Sequence, residues 1–114
     1  KVGTYLKALA ARANGIPFYA LLPESSIDWH CAGGDEIPIE ERGEEEVLAM
    51  SGMDDSGSIR QLRLAGAGSR AHNPAFDVTP AALVSALVTE HGSFEASPAG
   101  LARLRAQIAG SGAS

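Results

Sequence analysis

The chain has 114 residues, room for one domain burying roughly two thirds of its unfolded surface. A formal charge of −5, with the basic residues scattered, argues against a nucleic-acid or anionic-membrane partner, since either needs clustered Lys and Arg. No apolar run approaches the ~20 residues that span a bilayer, and the single cysteine, Cys31, cannot close an internal disulfide, which fits a reducing cytoplasm.

The lysine start, without initiator methionine, signal peptide or leading strand, reads as the back part of a longer chain. Val2, Tyr5, Leu6, Leu9, Ala10 and Ala13 recur at helical spacing and predict an amphipathic helix that Asn14-Gly15 stops. Gly3 and Thr4 are poor helix formers for a first turn, which points to a close backbone approach there. Residues 16–22, IPFYALL, form an almost unbroken apolar run of the kind found in a parallel strand covered on both faces. The polar loop at 23–35 follows the carboxyl end of that strand, the edge where open α/β sheets bind ligands. His30 and Cys31 stand side by side in it as a possible nucleophile or metal ligand. No second pair at zinc-like spacing supports them, and adjacent side chains rarely point at one target.

Ile37 and Ile39 predict a short extended piece. Glu40, Glu41 and Arg42 offer two carboxylates beside a guanidinium, which suits a loop-holding ion-pair network better than acid/base work. Glu44, Glu45 and Glu46 read as a solvated face. Residues 47–53 and 58–64 are two semi-apolar runs around Asp54-Asp55-Ser56-Gly57, and Gly57 can supply the positive φ of a hairpin turn. The glycine-rich stretch 65–71 lacks a P-loop lysine and a following helix, so it reads as a linker.

Residues 73–92, NPAFDVTPAALVSALVTEHG, carry the most signals. Asn73-Pro74 marks a turn, and residues 75–78 read as a short strand with Phe76 and Val78 on one face. Thr79 followed by Pro80 predicts a helix start, Leu83, Val84, Leu87 and Val88 its buried face, and Gly92 its end. Asp77 would then sit at the positive end of that helix, in a structural rather than catalytic role. Ser97-Pro98 repeats the same start signal, with Leu101, Leu104 and Ile108 as the stripe of a last helix ending at Gly110 and a disordered tail after it.

Three stretches together are similar to the methylthioribose-1-phosphate isomerases, the methionine-salvage branch of the initiation-factor-2B-like family. They are KVGTYLKALAARANGIPFYALLP at 1–23, GDEIPIEER at 34–42, and the 73–92 block, and they cover about four fifths of the chain. The resemblance implies an α/β fold, a Rossmann-like three-layer domain of the NagB, RpiA and CoA-transferase kind, with a mainly parallel sheet and a small hairpin. Residues 1–114 would be one C-terminal domain of a longer chain, with 93–114 as its last helix and tail. It also implies a cytoplasmic homodimer acting on a small sugar phosphate, with no metal or organic cofactor, no nucleic acid and no membrane. The family's catalytic cysteine and aspartate lie upstream of Lys1, so no catalytic residue falls in this chain and Cys31 does not replace the missing one. Lys1 matches the lysine of the family's Asn-Lys-Ile-Gly-Thr-Tyr motif, which implies contact with substrate beside a helix start. Trp29-His30-Cys31 and the hairpin near Asp55 depart from the pattern. A regulatory subunit of the initiation-factor type and ribose-1,5-bisphosphate isomerase are the alternatives the same resemblance leaves open.

Overall fold

The computed structural model describes residues 2–111, and these form two compact units. One comprises Gly3–Pro38 with residues 78–111; the other comprises Ile39–Asp77 with Val2.

In the first unit, helix α1 (Thr4–Ala13) is stopped as expected, with Asn14 closing its last turn and Gly15 at φ +65°. Its buried residue is Ala8, whereas Leu6 is 71% and Leu9 41% exposed. The apolar stripe read from the sequence thus faces away from the small-residue side on which the helix packs. Strand β1 (Tyr19–Leu21) pairs in parallel with β4 (Ala86–Thr89), and β4 pairs antiparallel with β5 (Gly92–Phe94) in a three-stranded sheet of order β1-β4-β5. The sheet is therefore mixed, not mainly parallel, among the described residues. Helix α3 (Pro98–Ser111) follows β5, and Leu104 on its inner face is fully buried. The Ser97 hydroxyl accepts the Gly100 N–H at 3.1 Å, the cap that Ser97-Pro98 predicts. Gly100 is buried against the backbone of Glu95, where a Cβ would overlap the chain. The expected tail beyond Ser111 lies outside the described residues.

The segment that reads most fully as a helix is not one. Pro80 has ψ of 135°, residues Ala81–Leu83 make a single 3₁₀ turn, and the chain then enters β4. Leu83, Val84, Leu87 and Val88 fit a helix face, but an apolar run fits a strand with both faces partly covered equally well, and all four β4 residues are half-buried. Pairing with β1 decides it. Ser85 N–H donates to the Phe18 carbonyl at 2.7 Å, and Leu22 N–H donates to the Val88 carbonyl at 3.0 Å. Gly92, at φ +123°, turns β4 into β5 rather than ending a helix.

In the second unit, a single helical turn α2 (Glu45–Leu48) leads into the antiparallel hairpin of β2 (Ala49–Met53) and β3 (Ile59–Arg63), as predicted, with Gly57 at φ +79° in the turn. The Asp54 carboxylate organises that turn, accepting the Ser56 and Ser58 N–H groups at 3.0 Å each and Arg60 Nε at 2.9 Å. Residues 65–71 have no regular structure. Residues 75–78 form no strand, and the extended backbone there is limited to a bridge between Glu41 and Pro74. Phe76 is correspondingly exposed.

Candidate functional site

The loop beyond the carboxyl end of β1 is the first candidate. It contains two 3₁₀ turns, Glu24–Ser26 and Gly34–Glu36. Its start is tied to the end of β4 by the Glu24 N–H, which donates to Glu90 Oε2 at 2.9 Å, and Trp29 Nε1 donates to Glu24 Oε1 at 3.1 Å. The Glu90 carboxyl is held below the usual range by its own backbone N–H and that of Glu24. The Arg105 guanidinium stands 5.6 Å from the Trp29 ring centroid. Together with Pro98, Leu101 and Ala102, these two residues line a cleft of about 280 Å³. At the end of the loop, Gly34 lies so close to the Val78 side chain that a Cβ there would collide with it.

Within this loop the two residues singled out from sequence, His30 and Cys31, both line a second cleft of about 240 Å³ with Asp28, Glu36, Ile37 and Pro38, and their hydrogen bonds go to different partners. The half-buried Cys31 thiol donates to the Gly33 carbonyl at 3.1 Å. His30 is exposed, and its backbone N–H is held by Asp28 Oδ1 at 2.9 Å. Among the described residues there is no cluster of three His, Cys, Asp or Glu side chains able to hold a metal ion. The loop and α3 together present an aromatic ring, a guanidinium and a shallow cleft between them.

The carboxylates of the second unit form a structural clamp, as their neighbouring arginine suggested, but with different partners. Arg42 grips Glu46 one helical turn on, at 2.8 Å from Nε to Oε2 and 2.6 Å from Nη2 to Oε1. Glu41 pairs with His72 Nδ1 at 2.8 Å and accepts the Asn73 N–H at 3.0 Å. Glu44 pairs with Arg70 at 2.6 Å and accepts the Ala71 N–H at 2.9 Å, and the Arg70 hydrogen bond, then that of Ala71, lowers its pKa. The Glu44 to Glu46 stretch is thus half of a clamp on residues 70–73 and not merely a solvated face. Its centre is Asn73, 4% exposed, whose side-chain amide donates to the Gly43 carbonyl at 3.0 Å and to Glu46 at 3.2 Å. Sequence reasoning gave Asn73 only a turn, although a buried amide needs partners and two acidic stretches at fixed distance could have supplied them.

Asp77 is half-buried, and with no helix starting at Pro80 the reading of it as a helix-end carboxylate loses its basis. Lys1 lies outside the described residues. Immediately after it, Gly3 at φ +137° leads into α1, so the glycine of the GTY motif takes a conformation that L residues rarely adopt.

A family model described as the initiation factor 2 subunit family matches residues 1–96. The chain belongs to the initiation factor 2 subunit family. Among its curated relatives, a methylthioribose-1-phosphate isomerase of Sinorhizobium medicae is 58% identical over 105 residues, 91% of this chain and 29% of that protein. The isomerase of the same name from Gluconobacter oxydans is 55% identical over 91% of this chain and 28% of its own length, and that of Methylocella silvestris 54% over 96% and 31%. The chain therefore spans about three tenths of the length of the curated relatives it matches. Two crystal structures of the family share its fold. The 5-methylthioribose 1-phosphate isomerase of Pyrococcus horikoshii OT3 superposes with a TM-score of 0.71 at 39% identity, over 92% of this chain and 26% of that one. The translation initiation factor eIF-2B subunit delta of A. fulgidus gives 0.70 at 30% identity, over 92% and 27%.

Proposed function

We propose that this family member is the C-terminal part of an S-methyl-5-thioribose-1-phosphate isomerase, a Rossmann-like domain in a cytoplasmic homodimer. The single observation that carries the reading is identity. Isomerases by name are 53–58% identical to the chain among the curated relatives and 39% identical in the Pyrococcus structure, against 30% for the initiation factor subunit, while the two folds superpose equally well. Fold does not separate catalyst from binding module here, and residue identity favours the catalyst.

The reaction is an aldose-to-ketose isomerisation of 5-methylthioribose 1-phosphate to 5-methylthioribulose 1-phosphate. Hydrogen leaves C2 and is delivered to C1 as the bond from C1 to the ring oxygen breaks; the C2 hydroxyl gives up its proton and becomes a carbonyl, and the released ring oxygen takes up a proton as the C4 hydroxyl. The C1 phosphate stays in place, so the ring cannot open as a free sugar does. In this reading the acid/base groups lie elsewhere in the protein. In this proposal Lys1 contacts the substrate phosphate beside the start of α1, where backbone N–H groups favour an anion. The test is a phosphorus NMR assay of the complete protein with 5-methylthioribose 1-phosphate. Conversion to the ketose is expected. Absence of conversion, with tight retention of a nucleotide or sugar phosphate, would assign the protein to the regulatory type instead.

A further inference from the structure

Among the described residues, four hydrogen bonds tie Asn73 to the short stretch 41–46. Its N–H donates to Glu41 Oε2 at 3.0 Å, its carbonyl accepts the Arg42 N–H at 2.9 Å, and its side-chain amide donates to the Gly43 carbonyl and to Glu46. Two residues on, the Ala75 N–H donates to the Glu40 carbonyl at 2.8 Å, so the backbone of 73–75 is bonded along 40–42. The pairs Arg70–Glu44, His72–Glu41 and Arg42–Glu46 flank the amide. Each of those pairs is largely exposed and worth little alone. The buried amide is different, because a satisfied buried polar network holds one arrangement and breaking it leaves groups unpaired. Val2, the residue after Lys1, belongs to this same compact unit, while Gly3–Pro38 belongs to the other. Val2 thus goes with the unit that Asn73 locks and not with the helix that follows it in sequence.

We infer that Asn73 is a positioning residue for the sugar-phosphate site: by locking 70–75 against 40–46 it fixes the platform that carries the chain at Val2, and so the place from which Lys1 reaches the substrate phosphate. The inference rests on the reading proposed above for the role of Lys1. Asn73 itself touches no substrate. The chemistry required at position 73 is specific, since the Gly43 carbonyl and the Glu46 carboxylate are both acceptors and the side chain must donate to each. An aspartate of the same shape sets a further acceptor against them. The substrate carries its phosphate throughout the reaction, so a displaced Lys1 weakens ground state and transition state alike. Loss of such uniform binding raises KM and leaves kcat in place.

A double-mutant cycle of Lys1→Ala and Asn73→Asp on the complete protein tests this, read as kcat and KM for 5-methylthioribose 1-phosphate and as the dissociation constant of the equilibrated sugar phosphate. Asn73→Asp is expected to raise KM at least about fivefold with kcat within about twofold, and to add nothing further once Lys1 is replaced by alanine. An amide that only stabilises the fold gives another pattern, in which fewer molecules are folded and the apparent kcat falls at unchanged KM. That pattern overturns the inference. Additive effects of the two substitutions overturn it as well, and so does a Lys1→Ala variant of unchanged KM, which leaves Asn73 nothing to act through. If Asn73→Asp yields no folded protein, Glu46→Gln takes its place in the cycle with the same expected pattern, since it is an exposed change that removes the carboxylate charge facing the Asn73 amide. A wild-type protein that binds the sugar phosphate without converting it fails the isomerase reading alone, and the cycle in dissociation constants then decides the inference.

Discussion

At the scale of single residues, the two side chains with most at stake are Lys1 and Asp54. In the complete protein, Lys1→Ala is expected to lower kcat/KM for the sugar phosphate by about 1.5–3 kcal/mol, the range for a hydrogen bond to a charged group. In this reading the lysine serves substrate and not packing, so the variant's urea midpoint should barely move, by less than about 0.5 kcal/mol. A lowered midpoint with normal kinetics would make Lys1 structural. Asp54 offers a pH test. Hydrogen bonds from the Ser56 hydroxyl, then Arg60 and the Ser58 N–H, lower its pKa from 3.8 to about 2. The folded hairpin thus binds the proton more weakly than the unfolded chain, and the stability Asp54 confers is complete above about pH 4. It is lost as pH falls towards about 2. Fluorine or proton NMR of the hairpin should show it loosening in that window, and Asp54→Asn should abolish the pH dependence there while loosening the turn at neutral pH.

Among the elements, the two proline-led helix signals make an instructive pair. Ser97-Pro98 is followed by Ala, Leu, Arg and Gln, good helix formers, and α3 forms with its serine cap in place. Thr79-Pro80 is followed by Val84, Val88 and Thr89, β-branched residues that pack well in a strand, and β4 forms instead. Local start signals are the same; what differs is the composition after them and the presence of β1 as a partner. Helix α3 also depends on a contact its sequence does not announce. Gly100→Ala places a methyl group on the Glu95 backbone, and overpacking of this kind is expected to destabilise the protein by about 1–3 kcal/mol despite alanine's better helix propensity. Chemical denaturation of the variant is the measurement, and a stabilised Gly100→Ala protein would show that the α3 start yields freely.

For the whole molecule, the expectation is that residues 1–114 alone do not turn over 5-methylthioribose 1-phosphate, because acid/base catalysis needs groups within hydrogen-bond reach of C1 and C2 and the described residues offer no such constellation. Turnover by the purified chain would contradict the division of labour proposed here. Taken alone, the sequence determined what short-range chemistry controls. Helix α1 and its stop at Asn14-Gly15, the β2–β3 hairpin around Gly57, the capped start of α3 and the structural character of the Glu41–Arg42 region were all legible in local spacing and turn residues. Only the tertiary structure decided that 86–89 is a strand, that Asn73 is the buried centre of the carboxylate clamp, and that α1 buries Ala8 while exposing its apolar stripe. Each depends on what lies far away along the chain, and periodicity within one segment carries no record of what will lie against it.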